Sequence, residues 1–192
     1  MKALPPSRPK ANRSTVEEAA LKVWRAAGKE GSLPPFYLFG CRAYYKDTMG
    51  ARGKNDRGIY DDAILVVGPE TFIGFNANVD PSIYRPKIAT LKPGVHRYRK
   101  GNHGISRPGG GYPAFRPATK NEELPVTRDG VAVPWPGVAI NIHRGGRSTT
   151  SSEGCQTIPP DQWGLFYDVV SNEMKKNGVR EFDYILHDGP IA

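Results

Sequence analysis

His143 and Cys155 are the residues of this chain whose types and spacing best suit covalent chemistry. They stand twelve positions apart, and the segment between them is polar and rich in glycine. A free thiol is only slightly ionised at neutral pH, so a nucleophilic cysteine needs an imidazole or a positively polarised turn beside it. The neighbours of Cys155 are polar residues and glycine, which do not suit a core position. We therefore predict that Cys155 is an accessible nucleophile and that His143 is its base.

The flanking residues predict how this pair is positioned. Apolar residues alternate through 137–143, which predicts a strand with His143 at its end, on the face opposite to Ile142. Gly154 permits a tight bend that projects Cys155, and it leaves room for a substrate carbonyl beside backbone amides that would stabilise an oxyanion. The expected site therefore lies where a strand end meets a polar turn.

The composition bounds the class of protein. A chain of 192 residues fits one domain with a proper core. Its 22 glycines and 18 prolines favour many turns and short strands, so we expect a mostly β, α+β fold with flanking helices. No apolar run is long enough to span a membrane. The formal charge of +8 indicates attraction to an anionic partner, for which nucleic acid, acidic wall polymer and lipopolysaccharide all qualify.

The first part of the chain is expected to be an accessory region. Residues 1–13 are basic and proline-rich and lack the apolar core of a secretory signal, which predicts a flexible basic arm on a chain that does not use the usual export route. Residues 14–58 should form a helix capped by Ser14, a strand at 36–45 and a polar loop, all packing on the domain. Cys41 lies in the apolar part of that strand and is expected to be a structural thiol, because two cysteines do not make a disulfide framework.

Residues 59–192 have the pattern of the main domain, with strands separated by turns. The predicted elements are a hairpin of strands 63–67 and 71–76, a strand at 94–99, a long loop at 101–118, a helix from 160 to 176 and a strand at 182–187. The long loop carries aromatic and basic side chains, and we expect it to lie over the site.

A strand that ends in Ile-His, a glycine-containing loop and then Ser152-Glu153-Gly154-Cys155 resembles the active-site motif of the L,D-transpeptidase (YkuD-like) catalytic domain. That motif is a histidine, a variable loop and Ser-His-Gly-Cys. Residues 91–98 are similar to the Thr-Pro-x-Gly-x-Phe segment that precedes it. The likeness covers roughly residues 60–192. It implies a single catalytic domain, a β-sandwich or open barrel, in which a cysteine attacks a peptidoglycan stem-peptide carbonyl next to meso-diaminopimelate.

The resemblance also assigns roles by position. Cys155 would be the nucleophile and His143 its base, and the backbone carbonyl of Arg144 would orient the imidazole. Gly154 and Cys155 would supply oxyanion-hole amides, and Ser152 would shape the turn. This chemistry requires neither a metal nor a cofactor.

Two departures from the family pattern bear on the substrate and the acyl acceptor. Glu153 stands where the family has a histidine, and Thr157 stands where it has an arginine that pairs with a substrate carboxylate. The residues expected to bind substrate instead are Arg116, Tyr112, Arg147 and Tyr98, with Arg144 as a further candidate. We expect a monomeric enzyme that hydrolyses rather than transfers. It would be similar to a bacteriophage lysin, held in the host cytoplasm until it reaches the periplasm and cell wall.

The expected partners are peptidoglycan with meso-diaminopimelate stem peptides and anionic envelope polymers, and three alternatives stay open. An L,D-transpeptidase proper would use an amine, not water, as acyl acceptor. A zinc-dependent peptidoglycan peptidase would draw on scattered ligands. These are His96, His103, His143, His187, Asp80, Asp129 and Asp188. A non-enzymatic module would bind nucleic acid or wall polymer through a basic aromatic surface, although nucleic acid is not the favoured partner. That surface would comprise Arg97, Tyr98, Arg99, Lys100, Arg107, Tyr112 and Arg116.

Overall fold

The computed structural model describes residues 7–191, which form two α-helices, twelve short strands and one 3-10 turn. The helices are α1 (Arg13–Ala26) and α2 (Pro160–Lys176). The strands are β1 (Tyr37–Cys41), β2 (Asp62–Val67), β3 (Phe72–Ala77), β4 (Ala89–Leu91), β5 (Gly94–His103), β6 (Tyr112–Pro117), β7 (Glu123–Leu124), β8 (Val126–Arg128), β9 (Gly137–Val138), β10 (Ile142–Arg144), β11 (Gln156–Ile158) and β12 (Glu181–His187). Neither helix has both the length and the apolar surface needed to cross a lipid bilayer.

Eight of the strands form one sheet in the order β11-β10-β6-β5-β12-β1-β2-β3. Neighbouring strands are antiparallel except for two parallel pairs, β1 with β12 and β10 with β11. Asn78, the residue after β3, exchanges two backbone hydrogen bonds of 2.9 Å with Thr157 of β11. This bridge joins the two edges of the sheet, so the sheet curls into a nearly closed barrel.

Two hydrophobic layers lie on the two sides of the sheet. The inner layer packs α2 against the barrel interior, where the Phe166 ring meets Phe75 and Phe115 edge-on at centroid distances of 5.2 and 6.1 Å. The outer layer packs Val16 and Ala20 of α1 against β1, β2 and β12. Burial of these apolar faces is the main term that stabilises the fold.

Several elements follow the pattern of the sequence. The hairpin predicted around Gly68 and Pro69 is formed by β2 and β3, the predicted second helix is α2, and the last predicted strand is β12. Pro160 occupies the first turn of α2, where its missing N–H is not needed, and Asp161 complements the positive end of the helix dipole. The predicted class, mostly β with flanking helices, is confirmed.

Four sequence-based predictions differ from the structure. The strand predicted at 36–45 is shorter, because β1 ends at Cys41 and residues 42–48 form turns. Residues 101–118 are not one long loop, because β5 continues to His103 and pairs with β6 as far as Tyr112. The strand predicted at 137–143 is broken, since β9 pairs with β7 and Ala139, at φ 53°, turns the chain before β10. The cap of α1 is not Ser14. The cap is Asn12, two residues earlier, whose side chain accepts a hydrogen bond from the Ser14 amide at 2.9 Å.

The predicted flexible arm, 1–13, lies partly outside the described residues, which begin at position 7. The described part packs on the domain rather than extending into solvent. The guanidinium of Arg8 lies 5.3 Å from the ring centre of Phe75, and the hydroxyl of Tyr44 donates to the carbonyl of Lys10 at 2.7 Å. Arg13 already belongs to α1.

A buried carboxylate pair lies at the start of β2. Asp62 accepts hydrogen bonds from the amides of Ala43 and Val79, both at 2.7 Å, and so connects the ends of β1 and β3. Asp61 is also buried and accepts from the Asp56 amide at 2.9 Å, while its Oδ1 has no hydrogen-bond partner among residues 7–191. Burial raises the pKa of Asp61 to about 7.

This raised pKa predicts a pH dependence of stability. In the unfolded chain Asp61 releases its proton near pH 3.8, whereas in the folded chain it holds the proton to about pH 7. Its contribution to stability is therefore largest at low pH and falls as the pH rises through that window. We compare the free energy of unfolding of Asp61→Asn with that of the natural chain by urea unfolding. The difference between the two should grow by about 2 kcal/mol in favour of Asp61→Asn as the pH rises from 5 to 8. The exposed Asp47→Asn variant is the control, and parallel curves for Asp61→Asn and the natural chain would contradict the prediction.

Candidate active site

The parallel pair β10 and β11 brings the predicted histidine and cysteine to one place. His143 pairs with Thr157, and the amide of Gln156 donates to the carbonyl of Asn141 at 2.8 Å. Because the two strands run in the same direction, the residues that precede them are neighbours. Cys155 therefore lies beside Asn141, whose amide points at the sulfur from 3.4 Å.

Contacts at Nδ1 hold His143 in one orientation. Nδ1 lies 2.8 Å from the carbonyl oxygen of Arg144 and 2.9 Å from the hydroxyl of Tyr112, which itself donates to that carbonyl at 3.1 Å. A carbonyl only accepts, so in the neutral imidazole the proton is on Nδ1 and Nε2 keeps its lone pair. Nε2 is buried and has no hydrogen-bond partner in the part of the chain that the structure describes. The contact with Arg144 is the one that the resemblance implies.

A second histidine completes the cluster. His103, at the end of β5, stacks on His143 with ring centroids 3.8 Å apart and an angle of 17° between the planes. Its Nδ1 lies 3.1 Å from Nδ2 of Asn141, an amide donor. One ring nitrogen from each histidine and the sulfur of Cys155 all lie within 4.8 Å of one another. Three side chains from three separate strands or turns thus meet at one point.

Burial keeps this cluster uncharged. Removal of His143 from water, reinforced by His103, lowers the pKa of its imidazole to about 3. Burial also raises the pKa of the Cys155 thiol to about 11. At neutral pH the resting pair is therefore a neutral thiol and a neutral imidazole, rather than a thiolate and an imidazolium.

The turn before Cys155 is built by Ser152 and Gly154. The Ser152 hydroxyl accepts from the Gly154 amide at 3.0 Å and donates to the Cys155 carbonyl at 2.7 Å. Gly154 has φ +126°, and a Cβ there would lie 2.7 Å from the carbonyl oxygen of Ala89. Ser152 therefore shapes the turn as expected, whereas the Gly154 amide is already bonded and is not free to hold an oxyanion.

The arginines expected to bind substrate have different surroundings. Arg116 is buried. Its Nε donates to the Glu122 carboxylate at 2.8 Å, its Nη2 donates to the same carboxylate, and its Nη1 donates to the Asn102 carbonyl at 2.8 Å. Its charge is compensated, so it does not fit the expected role. Arg144 and Arg147 are exposed, and the Arg144 guanidinium lies 5.1 Å from the ring centre of Tyr112.

The two tyrosines expected at the substrate rim serve the framework. Tyr98 is fully buried and donates to the carbonyl of Ile140 at 2.8 Å, which places it behind the site, away from any surface. Tyr112 is partly buried, and its hydroxyl contacts Nδ1 of His143. Tyr98 therefore does not fit substrate binding, and Tyr112 is a residue that positions the imidazole.

The remaining histidines and aspartates of the zinc alternative are not part of the cluster. His96 is buried, with Nε2 at 2.8 Å from the Lys92 carbonyl, and Nδ1 of His187 lies 3.0 Å from the Gly189 carbonyl. The aspartates are engaged in ion pairs elsewhere. Arg42 binds Asp80 and Asp188, and Arg57 binds Asp129.

Three residues of the site were not assigned to the cysteine mechanism by sequence reasoning, although His103 is a candidate ligand in the zinc alternative and Arg107 is part of the basic aromatic surface. His103 falls in a segment predicted as loop, and Lys100, Gly101 and Asn102 before it carry no apolar alternation that would have indicated a longer strand. Asn141 precedes Ile-His without any motif of its own. Arg107, at the exposed tip of the β5–β6 connection, is the third: its charge helps to lower the pKa values of His103 and His143.

The neutral state of the pair predicts how Cys155 reacts with alkylating agents. A thiol with a pKa near 11 ionises progressively as the pH rises, so the iodoacetamide rate should increase about tenfold per pH unit from pH 7 to 9. The measurement uses Cys41→Ser, so that Cys155 is the only thiol. A rate that is already constant at pH 6 to 8 would show a preformed thiolate and contradict this electrostatic account.

The strained turn predicts a position-specific effect of a single methyl group. Gly154→Ala should destabilise the fold by about 2 kcal/mol or more and displace the thiol, because the added Cβ meets backbone and the φ value is unfavourable for alanine. Gly130→Ala is the matched control, since Gly130 also has positive φ (+72°) but open space around it. Equal thermal unfolding of the two variants would remove the close approach to Ala89 as the reason for a glycine here.

Comparison of the chain with protein-family models, curated proteins and solved structures finds no match. A functional assignment therefore depends on the chemistry of the site itself. Its distinguishing features are a thiol, an imidazole whose Nε2 has no hydrogen-bond partner within residues 7–191, and a backbone carbonyl that fixes the tautomer.

Proposed function

We propose that this protein is a cysteine peptidase that cleaves peptidoglycan stem peptides through an acyl-enzyme, with the fold and chemistry of an L,D-transpeptidase domain. One observation carries the proposal. The Arg144 carbonyl fixes the proton of His143 on Nδ1 and leaves the Nε2 lone pair without a hydrogen-bond partner among residues 7–191, while one ring nitrogen of His143 lies within 4.8 Å of the Cys155 sulfur. A general base needs this tautomer and this proximity.

The reaction follows from the positions of these groups. His143 Nε2 takes the proton of the Cys155 thiol as the sulfur attacks the carbonyl carbon of the stem peptide. The tetrahedral intermediate then collapses, the C–N bond breaks, and the imidazolium gives its proton to the leaving amine. Water, deprotonated by the same imidazole, hydrolyses the thioester and restores the thiol.

The neutral resting pair sets the timing of proton transfer. Since burial favours the neutral forms of both Cys155 and His143, the proton moves as the sulfur attacks, not before substrate binds. The Asn141 amide, 3.4 Å from the sulfur, is a donor already directed at the reacting atom. Tyr112 positions the base, since its hydroxyl and the Arg144 carbonyl confine Nδ1 from the side opposite to the lone pair.

The charges around the site favour a substrate with free carboxylates. Arg107 and Arg144 are exposed and lie close enough to act on the charge of His143, Arg147 is exposed three residues after Arg144, and Arg116 is neutralised by Glu122. Meso-diaminopimelate carries a carboxylate on its side chain, and the exposed arginines are suited to bind it in place of the family arginine that Thr157 replaces. The net charge of +8 also favours association with an anionic cell wall, which a lysin reaches from the host cytoplasm.

Hydrolysis is the proposed outcome rather than transfer to an amine. Glu153, which stands where the family has a histidine, is exposed and paired with Arg85 at 3.0 Å. Thr157 is buried, and its backbone forms the bridge to Asn78. Both substitutions remove family side chains from the acyl-enzyme environment, which leaves water as the acceptor that needs no binding site.

A zinc peptidase is the second candidate, because His103, His143 and Cys155 offer three ligand atoms within 4.8 Å of one another. A catalytic zinc site typically uses three protein ligands and an open position. The stacking of the two rings weighs against it. Imidazole lone pairs lie in the ring plane, so an ion shared by two nearly parallel stacked rings would lie well out of at least one plane.

Substitution of the thiol tests the cysteine mechanism. Cys155→Ala should abolish the release of muropeptides from purified sacculi, measured by mass spectrometry, while circular dichroism shows an unchanged fold. His143→Ala should lower the rate about 10²- to 10⁴-fold, since it removes general-base assistance. Cys41→Ser is the matched control and should be nearly silent. Full release by Cys155→Ala would rule out the proposed nucleophile.

Metal dependence separates the two candidates. Enzyme dialysed against EDTA should keep its activity, and alkylation of Cys155 should remove it. Loss of activity in EDTA with recovery in zinc would instead support the peptidase with His103, His143 and Cys155 as metal ligands.

A further inference from the structure

Two exposed aromatic side chains near the candidate active site stack on guanidinium groups. Tyr84 is 75% exposed and Trp135 is 51% exposed. The Arg57 guanidinium lies 4.2 Å from the centre of the Tyr84 ring, and the Arg128 guanidinium lies 4.3 Å from that of Trp135. Each ring is thus supported on one face and open to solvent on the other.

Both guanidinium groups are themselves firmly held. Arg57 forms a bidentate ion pair with Asp129, in which Nη1 and Nη2 donate to the two carboxylate oxygens at 2.5 and 2.9 Å. Arg128 donates to the carbonyls of Lys87, Trp135 and Pro136 at 2.9, 3.2 and 3.0 Å. Because Arg128 and Asp129 are consecutive, the two rings are fixed to one short piece of backbone. We call Tyr84, Trp135 and the surface between them the aromatic ledge.

A pocket of about 390 Å³ opens on the ledge. It is lined by Tyr84, Arg85, Pro86, Lys87, Asp129, Gly130 and Val131. Its walls combine an aromatic face and an aliphatic side chain with charged groups that form hydrogen bonds. A surface of this mixed kind suits a ligand whose rings have both apolar and hydroxylated sides.

The ledge is connected to the candidate nucleophile by two routes. Arg85 forms an ion pair with Glu153 at 3.0 Å, two positions before Cys155. Trp135 precedes Ala139 by four residues, a span of at most roughly 14 Å. The Ala139 carbonyl lies 3.7 Å from the Cys155 sulfur. The ledge is therefore separated from the Cys155 thiol by no more than the length of a short peptide. Peptide substituents of a polymer bound on the ledge can reach the thiol.

We propose that the aromatic ledge binds the glycan strand of peptidoglycan, with the faces of N-acetylated sugar rings stacked on Tyr84 and Trp135. This inference rests on the proposed function and extends it from the stem peptide to the sugar chain that carries it. The C–H faces of the sugar pack on the rings, Val131 offers an apolar contact for the acetyl methyl group, and Lys87 and Asp129 offer hydrogen bonds to hydroxyl and amide groups. Stem peptides extending from that strand then reach Cys155.

The contacts beneath the ledge favour a neutral polymer over nucleic acid. A phosphate backbone requires cations that are free to pair with it. Here the guanidinium of Arg57 is engaged by Asp129 and that of Arg128 by backbone carbonyls, and Arg85 is paired with Glu153. The ledge thus presents aromatic faces whose nearest guanidinium groups already donate their hydrogen bonds within the protein.

Binding measured in the Cys155→Ala background tests the ledge without depending on catalysis. The probes are an N-acetylglucosamine oligomer and peptide-free glycan strands prepared from sacculi, followed by calorimetry and by fluorescence of the exposed Trp135. We expect Trp135→Ala and Tyr84→Ala each to weaken glycan binding about tenfold, and Trp135→Phe to retain most of it. Leu165→Ala is the matched control, since Leu165 is an exposed apolar side chain (48%) on α2 and should have no effect.

The outcomes separate failure of the ledge from failure of the proposed function. Glycan binding that is equal in the parent and in Trp135→Ala and Tyr84→Ala overturns the ledge, even if Cys155 proves to be the nucleophile. A change of oligomeric state in these variants, seen by light scattering without any change in glycan binding, also overturns it in favour of a contact between two copies of the chain. Ledge-dependent glycan binding in a protein without thiol-dependent cleavage supports the ledge and contradicts the peptidase.

Discussion

The backbone bridge between Asn78 and Thr157 is the constraint on which the arrangement of the site depends. It joins β3 to β11 and so brings together the two edges of an eight-stranded sheet. With β11 held there, its parallel pairing with β10 sets Cys155 beside Asn141 and leaves His143 two residues further along β10. A slip of one residue in this pairing would turn the opposing side chains to the other face and separate thiol from base. Strand geometry, and not the twelve-residue spacing alone, therefore brings the thiol and the imidazole together.

Burial determines the kind of catalysis that this geometry supports. His143, stacked on His103 and shielded from water, resists protonation, and the Cys155 thiol resists ionisation. The cluster thus avoids the cost of holding two charges in a poorly solvated place before substrate arrives. In the proposed reaction, proton transfer would become favourable as charge develops on the substrate carbonyl, which is when stabilisation raises the rate.

Part of this architecture could be predicted from the sequence because it is encoded locally. Alternating apolar residues and the Gly68-Pro69 turn specify the β2–β3 hairpin, and the spacing from Trp163 to Met174 specifies the buried face of α2. The His143 and Cys155 pair could likewise be recognised from residue type and setting. Parts that depend on long-range contacts could not be predicted. The interruption at Ala139 follows from pairing with β7, and the stacking of His103 on His143 follows from the β5–β6–β10 order, which no local pattern encodes.

The same distinction explains which expected side chains proved unsuitable as ligands for substrate. Arg116 and Tyr98 carry the right functional groups, but the Glu122 carboxylate and the Ile140 carbonyl already bind them.

The most direct test of the proposed nucleophile is intact-protein mass spectrometry during incubation with a meso-diaminopimelate stem peptide. We expect a transient mass increase that corresponds to the acyl fragment, is located on Cys155 and is released by hydroxylamine, as for a thioester. Stem-peptide cleavage with Cys155 unmodified throughout, in a reaction that alkylation of Cys155 does not stop, would contradict it.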